Sequence, residues 1–220
     1  MRQVTTSVLV TADRWERWVA GFAARNGPSL LTVDGGGLVG RSDSGAWFAA
    51  RLPFDHAYDG PADAAAFAAA AEPPPSWGVL LVRKGGFAIA RMHTTVLAES
   101  KVGQRHVQGR TKAGGQSQQR FARRRDNQAT AAFAAAADHA ARLLSGATSV
   151  ERIVTGGDRA AVAAVLADPR LRPLVVDTRW CAVPDPRRAV LERAVRDAQA
   201  IGVDVRNRRA DGGAAGAPEA

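Results

Sequence analysis

The chain carries a single cysteine, Cys181, so it has neither a disulfide framework nor a set of thiolate ligands for zinc. Cys181 reads instead as a small buried hydrophobe. Long apolar runs are missing. The segment Met1–Val10 holds one Arg and no extended hydrophobic stretch, so neither a signal peptide nor a membrane span is expected, and the cytoplasm is the expected location. Internal repeats are absent too. The turn Gly156-Gly157-Asp158 lacks the Lys and Ser/Thr of a phosphate-binding P-loop and the spacing of a dinucleotide fingerprint. It reads as a plain turn with Asp158 as a helix cap. No Ser-His-Asp set, carboxylate pair or metal-ligand cluster stands out, and no cofactor is expected. His56, His93 and His139 read as structural or exposed.

The most telling absence is of negative charge. Between Lys101 and Arg125 there is no Asp or Glu, while Lys101, Arg105, Arg110, Lys112, Arg120, Arg123, Arg124 and Arg125 are all basic. The net charge of the whole chain is +9 at a sequence pI of about 11.1. This one stretch therefore accounts for nearly all of it, and the remainder is close to neutral. Such a concentration favours a polyanionic partner. At its centre stands Gly114-Gly115-Gln116-Ser117-Gln118-Gln119-Arg120-Phe121. Paired glycines permit backbone at positive φ and close approach to another molecule. Two plainer readings stand beside this one: an ordinary flexible loop at Gly114-Gly115, and a solvated helix face at Arg123-Arg124-Arg125. Phe121 reads as a core anchor, and His106 has no evident partner.

The 46% hydrophobic content suffices for a real core in 220 residues. Thr11 or Asp13 is placed to cap a helix over Arg14–Arg25, with Trp15, Trp18, Val19 and Phe22 on one face. Leu30–Val33 and Leu38–Arg41 flank Asp34-Gly35-Gly36-Gly37 as a hairpin, with Ala46–Leu52 as a third strand. Pro61–Glu72 is alanine-rich and suggests a short helix or an ordered insertion, ended by Pro73-Pro74-Pro75. Strands follow at Trp77–Arg83, Phe87–Met92 and Val96–Val102. An alanine-rich helix is expected from about Gln118 to Leu144, burying Phe121, Ala132, Phe133, Ala136, Ala140 and Leu143. Then come a strand at Val150–Thr155, a helix through Leu166, short strands at Leu174–Asp177 and Trp180–Val183, and a helix over Pro186–Ile201. The fold class is α/β, a mixed β-sheet flanked by helices. Residues 1–205 are expected to form one domain and residues 206–220 a disordered tail.

Gly114-Gly115-Gln116-Ser117, with Arg120-Phe121-Ala122-Arg123 after it, resembles the Gly-Gly-Gln motif and following helix of the archaeal and eukaryotic class-1 peptide-chain release factors. The basic lead-in, the strand meander before it and the strand–Gly-Gly–helix unit after it look like the catalytic middle domain of those factors. The chain is also similar to the release-factor-like peptidyl-tRNA hydrolases of ribosome quality control and rescue. The resemblance spans roughly Thr5–Val203, and its specific part is Val102–Arg125. It implies a protruding basic loop and hydrolysis of the peptidyl-tRNA ester, with the tRNA acceptor end and the large ribosomal subunit as partners. It implies catalytic roles for Gly114, Gly115 and Gln116, and RNA contacts from the eight basic residues. Some of the hydrolases set the glutamine three residues after a glycine; Gly115-Gln116-Ser117-Gln118 meets that spacing, so Gln118 is the second candidate.

Release factors also carry a stop-codon-reading domain before this one and a partner-binding domain after it, and neither fits in 220 residues. Codon-independent release from stalled or split ribosomes, by a monomer that needs no membrane, is the expectation. A non-catalytic module that binds ribosomal or transfer RNA through the same loop is the runner-up. A nuclease of ribonuclease-H-like shape is third; its acidic candidates Asp34, Asp158 and Asp177 fall in no motif.

Overall fold

Trp15 and Phe22 are fully buried on one face of α1 (Ala12–Asn26), and both meet the ring of Phe48 edge-on, at 5.7 and 5.1 Å between centroids. Trp18 joins them at 5.2 Å from Phe48. The i, i+3, i+4, i+7 pattern thus does what such spacing dictates, bringing the large apolar side chains to one stripe. Thr11 stands at the N-cap position, but its side chain makes no capping hydrogen bond. The computed structural model describes residues 5–104, 116–145 and 150–207; for residue 104 and for 116–129 it describes the backbone. The chain forms two units, one from within Met1–Leu52, His56–Ala70 and Ile201–Ala220, the other from Pro53–Asp55 and Ala71–Ala200.

The first unit holds α1, a short helix α2 (Ala64–Ala69) and a five-stranded antiparallel sheet. Its strands are β1 (Thr6–Val10), β2 (Ser29–Asp34), β3 (Gly37–Ser42), β4 (Trp47–Arg51) and β10 (Ile201–Arg206), in the order β1-β10-β4-β3-β2. β2 and β3 form the expected hairpin, with Gly35 and Gly36 at positive φ in its turn. Neither β1 nor β10 was expected. The pattern of β10 is plain once seen, because Ile201, Val203 and Val205 alternate with less buried neighbours. The tail reading gives up Arg206 to this strand, and residues 208–220 of it lie outside the described residues.

The second unit is the mixed sheet. β5 (Ser76–Arg83), β6 (Gly86–His93) and β7 (Val96–Gln104) form an antiparallel meander. Next to β5 lies β8 (Arg152–Gly157), parallel to it, and then β9 (Val176–Cys181), parallel to β8. The strand order is β7-β6-β5-β8-β9. Both faces are covered by helix. Leu80, Val82, Phe87 and Ile89 point toward α3 (Gln116–Leu144) and α4 (Arg159–Leu166). Trp77, Val79, Leu81, Ala88, Ala90 and Met92 point the other way, toward α5 (Arg188–Ala198) and Phe54. The alternation along β5 and β6 is the period of two that a strand imposes. A sheet buried on both faces needs near-continuous apolar strands, which is what Trp77–Val82 provides.

The architecture is thus α/β with a mixed sheet flanked by helices, accompanied by a second, antiparallel sheet. The two short strands expected at Leu174–Asp177 and Trp180–Val183 are one strand. Asp177, Thr178 and Arg179 suggest a break in sequence, yet each finds a hydrogen-bond partner inside the unit, although the buried Asp177 Oδ2 has none. The Arg179 N–H donates to Asp177 Oδ1 at 2.8 Å, and the Thr178 N–H donates to Asp55 Oδ2 at 3.0 Å. The Arg179 guanidinium donates to the carbonyls of Asp197, Ala198 and Ala200 at 2.6–3.0 Å, closing the end of α5. The last four carbonyls of a helix have no partner within it, and a cation there satisfies them. That cap stops α5 at Ala198 and frees Ile201 for β10. At the other end of the crossover, Asp158 caps α4 by accepting from the N–H groups of Ala160 and Ala161 at 2.9 and 3.1 Å.

Candidate functional site

β7 and α3 flank the segment that sequence marks as functional, and the mixed sheet holds both. Among the described residues β7 is an edge strand, bonded to β6 alone. Its side chains are gripped from two sides. Glu99 accepts from Arg142 of α3 at 2.7 Å, and Ser100 accepts from Arg188 of α5 at 2.9 Å. α3 is held by its C-terminal part, where Ala136, Ala140, Leu143 and Leu144 are fully buried. Phe133 packs against the same core. The expected stripe of Ala136, Ala140 and Leu143 is therefore present, with Ala132 half-buried; the side chain of Phe121 lies outside the described residues.

α3 starts at Gln116, two residues before the expected start. Gln116 and Gln118 therefore both belong to its first turn. The first four N–H groups of any helix lack partners within it and sit at the positive end of its dipole. Arg120, Arg123, Arg124 and Arg125 follow on the same helix; for these four and for the two glutamines the backbone is described. Gly114, Gly115, Arg105, Arg110, Lys112 and His106 lie outside the described residues. Lys101 is described fully: it is exposed on β7, opposite Ile89 of β6.

Lys101 borders a cavity of about 340 Å³ that sequence reasoning missed. One wall is the middle of α3, with Ala132, Phe133 and His139; the other is the β5–β6 hairpin end and β7, with Phe87, Lys101 and Gly103. The His139 and Phe87 rings lie 5.4 Å apart. Gly103 faces Phe87 so closely that a Cβ there would come within 2.4 Å of the ring. Sequence placed His139 and Phe133 correctly on one helix. Their spacing of six gives no hint of a shared cavity, because β7 completes it from thirty residues away.

Elsewhere the polar groups are structural. Burial pushes the Asp177 carboxyl above its ordinary range and pushes the Cys181 thiol up to about 11, which keeps that thiol protonated. Among the described residues, no group of three or more His, Cys, Asp or Glu side chains is placed to hold a metal. Among them too, no helix is long and apolar enough to cross a membrane.

No curated protein sequence matches the chain. Among solved structures, the chain is similar to one described as the Vms1 mitochondrial localization core, at 13% identity and a TM-score of 0.38, covering 86% of this chain and 80% of that one. It is also similar to Pelota from Archaeoglobus fulgidus, at 10% identity and a TM-score of 0.26, covering 90% of this chain and 64% of the other. The sequence model of the Actinobacteria/chloroflexi VLRF1 release factor matches residues 75–204, from the start of the mixed sheet through the basic segment, α3 and α5 to β10. That match takes in more than half of the chain, and the protein belongs to the Actinobacteria/chloroflexi VLRF1 release factor family.

Proposed function

We propose that the protein hydrolyses the ester of peptidyl-tRNA without reading a codon, and so releases nascent chains from stalled or split ribosomes. The observation that carries this reading is the start of α3 at Gln116, directly after Gly114-Gly115, within a chain of a release-factor family. In the reaction, water attacks the ester carbonyl carbon and the bond to the terminal ribose oxygen breaks. The ribose oxygen takes a proton, and the peptide leaves as a carboxylate. Negative charge gathers on the carbonyl oxygen on the way. The Gln116 N–H, unpaired within its helix and at the positive end of the helix dipole, is suited to donate to that oxygen. One such donor is typically worth about 10²- to 10³-fold in rate. The side-chain amide of Gln116 orients the attacking water, which adds a positioning contribution. Gly114 and Gly115 let the backbone come close to the acceptor end.

The basic residues supply affinity. Lys101, Arg105, Arg110, Lys112, Arg120, Arg123, Arg124 and Arg125 neutralise phosphates of the acceptor arm and the large subunit, releasing counterions. The protein acts as a monomer in the cytoplasm and uses no cofactor. Residues 1–205 serve as the catalytic body. Peptide release from purified large-subunit peptidyl-tRNA complexes tests the reading, because such complexes carry no codon to read. Wild-type protein should release the peptide and Gln116→Ala should not.

A further inference from the structure

The geometry points to the cavity between α3 and β7 as a binding site for a single RNA nucleotide, the base against its aromatic wall and the phosphate on Lys101. Its volume of about 340 Å³ lies within the range of small-ligand pockets. Phe87, Phe133 and His139 give it aromatic surface, and aromatic side chains hold unpaired bases of any sequence by stacking. No acidic side chain is among the described residues that line it. Lys101 has no hydrogen-bond or ion-pair partner among the described residues, so its charge remains for a ligand. The second cation, Arg83, is already committed, its Nη1 donating to the carbonyls of Val183 and Pro184 at 3.1 and 2.7 Å. A cation beside aromatic rings without carboxylates selects an anion that also carries a flat ring. That describes a nucleotide better than an acidic peptide or a bare phosphate.

Position supplies the use. The two walls are the two elements that lead into and out of the basic segment, β7 and α3. A nucleotide held there fixes RNA beside the two elements that flank the basic segment. The identity of that RNA rests on the peptidyl-tRNA reading; the pocket itself does not.

Titration with adenosine 5′-monophosphate tests the site, read by NMR on the Cε1–H of His139, assigned by loss in His139→Gln. A saturable shift at millimolar nucleotide is expected. Ala132→Phe, which fills the cavity from the half-buried face of α3, should abolish it. Lys101→Ala, a surface change that leaves the fold intact, should weaken it about tenfold. Inorganic phosphate at equal concentration should give no saturable shift. The proposal is overturned if the monophosphate gives no saturable shift, if folded Ala132→Phe or Lys101→Ala titrates like wild type, or if phosphate alone reproduces the titration. Gln116→Ala should bind the monophosphate like wild type. A protein that titrates as expected but releases no peptide would sink the release reading and leave the pocket standing. Release without titration would do the reverse.

Discussion

Glu99 of β7 and Arg142 of α3 meet at 2.7 Å, and the pair ties together the two elements that flank the Gly-Gly-Gln segment in sequence. Arg91 of β6 approaches the same carboxylate at 3.8 Å. The geometry joins the strand that enters the segment to the helix that leaves it. Both partners are well exposed, so solvent screens the attraction and its stability contribution is small. Glu99→Gln should change unfolding free energy by no more than about 1 kcal/mol in urea titration. A loss above about 2 kcal/mol would mean that the pair carries more of the packing than its exposure allows.

Arg123, Arg124 and Arg125 separate an RNA contact from a solvated helix face. Their joint replacement with Ala should weaken association with ribosomes or tRNA and flatten its salt dependence. The expected change in slope is roughly 0.7 to 0.9 for each phosphate no longer neutralised. Equal affinity and equal slope would assign the three arginines to solvent.

Arg179 is placed to stabilise rather than to bind. It is largely buried, and its guanidinium serves three carbonyls at the end of α5. Arg179→Met keeps the aliphatic stem and removes those donors, leaving the carbonyls and Asp177 without compensation. A loss on the order of 3 kcal/mol is expected in chemical denaturation. A loss below about 1 kcal/mol would show that water takes over the cap.

How much of this was legible in sequence depends on where each signal is stored. The meander, α1 and α4 were readable because their patterns are local: a continuous apolar run in Trp77–Val82, a stripe at Trp15, Trp18, Val19 and Phe22, and a capping Asp158. β9 was not readable as one strand, because Thr178 and Arg179 find their partners in the Pro53–Asp55 turn and at the end of α5. β10 and β1 were missed for a related reason. They pair with each other across the length of the chain, Thr6 opposite Val205, and short strands show little until the partner is known. Of the candidate site, the motif was legible and the cavity was not, since its walls come from β6, β7 and α3.

Asp204 offers a test in pH. The Ser7 hydroxyl, which donates to it at 2.6 Å, and then Arg51 hold its carboxyl below the usual carboxylate range. A lowered value in the folded state means that the ionised form is favoured by folding. The stabilisation is present above the ordinary value near 3.9 and is lost as pH falls through the lowered one. Ser7→Ala should therefore cost about 1 kcal/mol or less near neutral pH, after screening, and nothing once Asp204 is protonated in both states. Denaturation curves at pH 7 and at stepwise lower pH read the difference. A gap between wild type and variant that stays unchanged as pH falls would assign the effect to packing.

The most direct measurement is single-turnover peptide release from large-subunit peptidyl-tRNA complexes by wild type, Gln116→Ala and Gln118→Ala, with binding followed in parallel. Gln116→Ala keeps the charge and the backbone N–H, so binding should survive. Release should fall by about two to three orders of magnitude through loss of the side-chain amide that positions the attacking water, the backbone donor being retained. Gln118→Ala should lose less. Loss confined to Gln118→Ala would move the catalytic role two residues along the helix. Full release by both single variants and by the double variant would contradict the account and leave an RNA-binding module in its place.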